Sequence, residues 1–380
     1  MLRLSDSMLN LLKAKLKNSL KNSLRKKLTL LLSLTLFLGI TTVGWTPAYA
    51  ALPAGNAITD GKALLRYALP IDNKPVRQLQ ASIEDISNQL RANKRWSAVS
   101  SDVKKASRLL EKPEKILSSV PEARQTEAQT LIAQIKTGVA SLQELAETKD
   151  KEKVKEKRAE VLNLVGELEQ AMVKGFPYEV PSEYSNLPQL KGRATVAMKT
   201  SKGDLTMVLD GYSAPVTAGN FVDLVKRGFY DGLEFTRSEE SYVLQTGKPK
   251  DADGFIDPKT KKYRAVPFEV LVEGDKKPTY GITLEEAGRY TDMPVLPFSS
   301  FGALALARPE RDVNGGSSQF FFFLFEPELT PAGRNLLDGR YAIFGYLTEG
   351  QEVLDELKAG DKIISAKVID GLENLQEPSV

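Results

Sequence analysis

The chain has 380 residues, a formal charge of +3, and neither cysteine nor histidine. This composition excludes disulfides, thiolate chemistry, histidine-based triads and most zinc sites. The length allows two domains and a sizeable core.

Residues 1–50 read as an export signal. Arg3, Lys13, Lys15, Lys17, Lys21, Arg25, Lys26 and Lys27 stand against a single acid, Asp6. Residues 28–40 (LTLLLSLTLFLGI) form an apolar stretch that is short for a membrane span. Ala48-Tyr49-Ala50 is an A-x-A site that places cleavage before Ala51, and no twin-arginine pair precedes it, which favours the Sec route. The leader carries +7 of formal charge, so the exported remainder stands at −4. Such a mildly acidic protein has no electrostatic footprint for nucleic acid.

Residues 51–174 have helical period throughout. A short helix is predicted near Asp60–Ala68. Val76, Leu79, Ile83, Ile86 and Leu90 mark an amphipathic helix over Lys74–Ala92, with Pro75 suited to its first turn. A further helix is predicted over Ala98–Leu110, stopping before Pro113. After Pro121, Ala128, Leu131, Ile132, Ile135, Val139, Leu142 and Leu145 form one stripe. Asp150 can cap a last helix over Lys151–Val173, with Val154, Val161, Val165, Leu168 and Met172 inward. Short connections make these an antiparallel bundle without a ligand constellation. Residues 175–192 hold Pro177, Pro181 and Pro188 and form a linker, but Phe176, Tyr178, Val180 and Tyr184 make it too apolar to be a free tether.

From 193 to 380 the period changes to that of strands. Ala194–Lys199 and Asp204–Leu209 form a hairpin, and Pro215–Lys226 is a helix stopped by Gly228. Strands follow over Leu233–Arg237, Tyr242–Gln245, Gly302–Ala307, Phe320–Phe325, Tyr341–Leu347 and Ile363–Ile369, with a short helix at Glu352–Leu357. Two helices among many antiparallel strands suggest a closed barrel with a helix at each end. The stretch GGSSQFFFFLF (315–325) reads as a strand buried on both faces, with Gln319, Phe321 and Phe323 on one side and Phe320, Phe322 and Leu324 on the other. Gln319 must find partners there, or it costs about 1–3 kcal/mol; the floor of a peptide groove would supply them.

PVTAGNFVDLVKRGFYDGLEFTR (215–237), GALALAR (302–308), GSSQFFF (316–322) and LLDGRYAIFGYLTEG (336–350) resemble, in order and spacing, the motifs of cyclophilins. The fold expected is a multidomain α plus β protein: the N-terminal antiparallel helical bundle read from its period, then the cyclophilin-like eight-stranded closed β-barrel with two capping helices that the resemblance implies. The resemblance also implies peptidyl-prolyl cis–trans isomerase chemistry without cofactor or metal. Arg237 matches the catalytic arginine. Tyr242, Val243, Gln245, Ala307, Arg308, Gln319, Phe321, Leu336, Leu337 and Tyr341 match the peptide- and proline-binding positions. Several depart from the family pattern: Tyr242 replaces a phenylalanine, Val243 a methionine, Arg308 an asparagine, Leu336 a tryptophan and Tyr341 a histidine. Ser238-Glu239-Glu240-Ser241 stands where active members have an apolar-Pro-Gly turn, with carboxylates placed to draw Arg237 into an internal ion pair. Residues 248–298 are a long insertion, in which Val270, Leu271 and Val272 need a cover.

Leader, helical half, barrel and insertion together are similar to the large thylakoid-lumen cyclophilins of cyanobacteria and chloroplasts. That likeness implies a lumenal or periplasmic address and, as partners, proline-containing segments such as lumenal loops of photosystem II proteins. Two functions stay open: an assembly chaperone with weak or absent isomerase activity, and a fully active isomerase serving exported proteins as a foldase. In both, the helical bundle is expected to dock on the barrel near the groove.

Overall fold

The computed structural model describes residues 58–91, 95–325 and 335–378; the leader lies outside them. Among the described residues the first helix is α1 (Gly61–Ala68), which Asp60 caps by accepting from Lys62 N at 2.9 Å. Then come α2 (Lys74–Arg91), α3 (Trp96–Leu110), α4 (Pro113–Leu117), α5 (Gln125–Thr148) and α6 (Lys151–Ala171). Asp150 caps α6 as its sequence suggests, accepting from Lys153 N at 3.1 Å. Helix α4 is an addition to the expected set. Pro113 ends one helix and also suits the first turn of another, and here it does both.

The apolar stripes of α2, α3, α5 and α6 meet in one cluster around Leu79, Ile83, Val103, Ile135, Leu142, Val161 and Val165. Helix α1 turns away from that cluster. It is tied to the bundle by polar contacts: Arg66 pairs with Glu84 at 2.9 Å, and Arg77 donates to the carbonyls of Arg66 and Leu69 and pairs with buried Glu169 at 3.2 Å. The segment 175–192 is packed, as its aromatic content predicts. Tyr178 donates to Tyr212 O at 2.8 Å, Lys191 lies over Phe176 at 4.0 Å, and Tyr184 meets Tyr280 at 5.2 Å between ring centroids.

The second half opens with β1 (Gln189–Leu190), β2 (Arg193–Thr200), β3 (Asp204–Asp210) and α7 (Pro215–Lys226). It continues with β4 (Arg237–Glu239), β5 (Val243–Thr246), β6 (Glu269–Val270), β7 (Thr279–Tyr280), β8 (Ala303–Leu306) and β9 (Phe320–Phe323). It ends with β10 (Ile343–Glu349), α8 (Gln351–Glu356), β11 (Ile363–Asp370) and β12 (Leu375–Gln376). Eight strands form one antiparallel sheet in the order β11-β2-β3-β10-β8-β9-β5-β4. The sheet is curled, and the expected closed barrel is met only in part. Glu234 bridges Lys362, and Gly232 N donates to Ile363 O at 2.7 Å, but among the described residues no ladder joins β4 to β11. The chain leaves that bridge for β4 within three residues, too soon for a second ladder to form.

The inner face holds the larger core, with Phe320, Phe322, Leu304, Leu244 and Phe344 packed under Phe221 and Leu224 of α7. The insertion has a small cluster of its own, in which Val270 and Val272 are buried with Phe268, Leu284 and Ala342. It is also anchored to α7 at two points. Arg264 pairs with Asp223 at 2.6 Å, and the fully buried Glu269 accepts from the first amides of the helix, Val216 N at 3.3 Å and Thr217 N. Tyr280 brings its hydroxyl towards the same carboxylate without completing a hydrogen bond.

Burial raises both Glu269 and Glu169 from the ordinary carboxyl value to about 7, against the lowering effect of the Thr217 and Val216 amides on Glu269 and of Arg77 on Glu169. The folded state therefore binds protons between about pH 4.5 and 7 that the unfolded chain does not. Stability should rise as pH falls through 7, by at most about 3 kcal/mol per group. Urea midpoints measured from pH 8 to pH 5.5 should increase, and Glu269→Gln should remove roughly half of that slope. A midpoint that falls with pH in the wild type would contradict the assignment.

Candidate functional site

Phe321 and Phe323 point to the outer face of the sheet, opposite Phe320 and Phe322, as the strand period demands. The antiparallel register sets side chains in rows across that face. One row runs Arg237, Gln245, Phe321, Ala305, Ile343 along β4, β5, β9, β8 and β10. The next holds Glu239, Val243, Phe323 and Ala303. Arg237, Val243, Gln245 and Phe321, all singled out from the sequence, are thereby gathered on one surface.

Arg237 and Glu239 are two apart on one strand, so they project from the same face. They form the anticipated ion pair, with Arg237 Nε donating to Glu239 Oε1 at 2.7 Å. Both side chains are about half exposed, 51% and 47%, and a pair of that kind is worth only about 0–1 kcal/mol. The glutamines form a relay. Gln245 Nε2 donates to Gln319 Oε1 at 2.9 Å, and Gln319 Nε2 donates to Asp253 O of the insertion at 2.7 Å. Gln319 thus finds its partners within the chain. The main chain of Ala307 is pinned alongside, its N–H donating to Gln319 O at 2.9 Å.

The turn between β4 and β5 puts Ser241 at φ 55°, a left-handed conformation that suits glycine better than serine. It delivers Tyr242 to the edge of the surface, 37% exposed, in an edge-to-face contact with Phe323 at 6.4 Å. On the other side of Phe321, Tyr341 makes an edge contact at 5.4 Å, and Leu337 joins the same cluster. Arg308 lies over the Tyr341 ring at 4.9 Å. Leu336, by contrast, is 84% exposed and stands outside the cluster.

This outer surface is covered. Leu64, Leu65 and Ala68 of α1 join its cluster, together with Leu296 and Phe298 from the end of the insertion. Phe298 lies parallel to Phe321 at 6.1 Å and edge-on to Phe323 at 5.2 Å. Asp338 holds Phe298 by accepting from its N–H at 2.7 Å, and Tyr346 donates to Pro297 O at 2.8 Å. Phe321 is left 5% exposed. Phe298 and the leucines of α1 are the members of this site that the sequence did not point to. Leu64 and Leu65 were visible as apolar positions of a short helix, but nothing local said which surface they cover. From the helical half it is α1 that supplies side chains to this outer cluster.

Residues 60–173 match a family model described as peptidyl-prolyl cis-trans isomerase CYP38-like, PsbQ-like domain, and residues 195–371 match that of cyclophilin type peptidyl-prolyl cis-trans isomerase/CLD. Over 327 residues the chain is 59% identical to a thylakoid lumen peptidyl-prolyl cis-trans isomerase of Synechocystis sp., covering 86% of each sequence. It is 48% identical over 345 residues to the chloroplastic peptidyl-prolyl cis-trans isomerase CYP38 of Arabidopsis thaliana, covering 88% of this chain and 79% of the relative. A crystal structure of a Cryptosporidium parvum cyclophilin in the presence of the dipeptide Ala-Pro matches at 21% identity and a TM-score of 0.34, over 46% of this chain and 99% of that one.

Phe298 is 1% exposed and stacks within the cover, so Phe298→Ala should cost about 3–5 kcal/mol in urea unfolding and raise the accessibility of Phe321 to solvent. A loss under about 1 kcal/mol would mean that the insertion contributes little to the cover.

Proposed function

Because this chain belongs to the cyclophilin family and aligns over most of its length with a thylakoid-lumen and a chloroplastic member, we propose that it acts in the thylakoid lumen as an assembly chaperone with little isomerase turnover. Export would proceed by a Sec signal ending at Ala50. The bound segments are proline-containing stretches of other proteins, lumenal loops of photosystem II proteins among them. In this reading residues 51–174 form the helical domain, 175–192 the linker and 193–380 the peptide-binding domain. The helical domain regulates access to the groove and offers a second binding surface.

The observation that carries the reading is the internal satisfaction of the groove. Arg237 is paired with Glu239, Gln245 with Gln319, and Gln319 with the insertion, while Phe321 is covered by Phe298. Isomerisation of an X-Pro bond breaks no covalent bond. The barrier is the amide resonance lost on twisting. A cation lowers it by hydrogen-bonding the twisted amide more strongly than the planar one. Arg237 supplies a planar guanidinium fork, and no histidine is needed for this step. Held by Glu239, its fork is directed at a carboxylate instead of at substrate, and part of its charge is cancelled. Phe321, Leu337 and Tyr242 would hold the proline ring once the cover shifts.

One observation favours the second reading, an active foldase of exported proteins. The Arg237–Glu239 pair is half exposed and weak, so a bound peptide could replace the carboxylate at little cost.

Turnover of an Ala-Pro test peptide separates the two. Under the chaperone reading the wild type is slow, Glu239→Gln raises kcat/KM several-fold by releasing Arg237, and Arg237→Ala in that background lowers it again by about 10²-fold. Rapid turnover by the wild type, unchanged by Glu239→Gln, would establish the foldase instead.

A further inference from the structure

The groove carries a second guanidinium, and its surroundings differ from those of Arg237. Where Arg237 meets a carboxylate, the described hydrogen-bond partners of Arg308 are all main-chain carbonyls. Its Nε and Nη2 donate to Arg340 O at 3.3 and 2.9 Å, and its Nη1 donates to Pro309 O at 3.1 Å and Glu310 O at 3.3 Å. Carbonyl dipoles orient a cation without cancelling its charge. These bonds account for four of the five N–H groups of the side chain, leaving one on Nη2. One face of the guanidinium lies over Tyr341, and the edge of that ring meets Phe321, the residue at the centre of the surface.

Two of the neighbouring charges are engaged elsewhere. Arg340 pairs with Glu285 at 2.8 Å, and Glu286 accepts from the N–H and hydroxyl of Thr283 at 3.1 and 2.9 Å, close enough to feel the charge of Arg308. Arg308 is therefore a fixed cation two ring contacts from the aromatic floor, with an N–H to spare and its rotamer set by three carbonyl-bearing residues. Holding the side chain in place before a ligand arrives lowers the ordering cost of making a charge-assisted bond.

We propose that Arg308 reads a carboxylate on the bound segment, so that the groove selects proline residues flanked by aspartate or glutamate. The selection rests on the groove reading given above. Cations are disfavoured at the same position because two like charges would face each other beside an apolar floor.

The experiment uses three labelled octapeptides that differ only at the residue next to proline, glutamate, glutamine or lysine, each made with that residue before and after the proline. Affinity for the purified protein is read by fluorescence anisotropy at low and at physiological salt. On one side of the proline, the glutamate peptide should bind about tenfold more tightly than the glutamine peptide, the usual scale of one charge-assisted hydrogen bond, and the lysine peptide more weakly than either. The difference should shrink with added salt. Arg308→Glu should reverse the order. Arg308→Lys, which keeps the charge and disturbs the carbonyl contacts less, should retain it in weaker form. Equal binding of the three peptides to the wild type, in both positions, would overturn the proposal while leaving the groove reading standing; that comparison needs no variant to fold. The same order in Arg308→Glu as in the wild type would assign the selection to another residue. Failure of every proline peptide to bind, the glutamate ones included, would overturn the groove reading and this proposal with it.

Discussion

The phenylalanines of β9 alternate between two hydrophobic clusters, and that alternation couples everything else in the second half of the chain. Phe320 and Phe322 belong to the inner core under α7, while Phe321 and Phe323 belong to the outer cluster with α1 and the insertion. Fully burying a phenylalanine is worth about 1.5–3 kcal/mol, so neither face tolerates exposure cheaply. The floor of the candidate groove is therefore also the seat on which α1 and the insertion rest. A peptide reaching Phe321 would have to displace contacts with Phe298, so its affinity would be the difference between the two sets of contacts.

The polar groups follow the same logic in a different currency of interaction. A buried or half-buried amide left without a partner costs about 1–3 kcal/mol, and the chain leaves neither Gln245 nor Gln319 in that state. Both are satisfied by each other and by Asp253 O, which ties the groove to the start of the insertion. The middle of the insertion is tied to α7 by Glu269 and Arg264, and its end to the 335–341 loop by Asp338. An insertion fixed at start, middle and end is part of the candidate site's wall.

Much of this was legible from local pattern. The 3.6-residue period located the bundle helices, Asp150 marked the start of α6, and the two-residue period assigned each β9 phenylalanine to its side. The same period selects Glu239 over Glu240 as the partner of Arg237, since only residues two apart share a face. Less legible were the strand ends. The apolar run to Phe325 suggested a longer strand than Phe320–Phe323, because hydrogen bonding to β5 and β8 ends where those partners end. Tyr341 and Ala342 likewise sit before β10 because they turn to meet Phe321 and the insertion's own cluster.

The sequence by itself determined the longer helices and the main strands, their apolar faces, and the gathering of Arg237, Gln245, Gln319 and Phe321 into one motif set. Only the tertiary structure decided what packs in the apolar cluster around Phe321: Leu64 and Leu65 from the helical half and Phe298 from the insertion. The reason lies in the interaction itself. Hydrophobic burial is non-directional and close to proportional to area, so a periodic stripe shows that a face must be covered without saying by what. Covalent spacing fixes which residues share a face; the pairing of one face with another, across more than 200 residues between Leu65 and Phe298, is settled only when the folded chain brings them together.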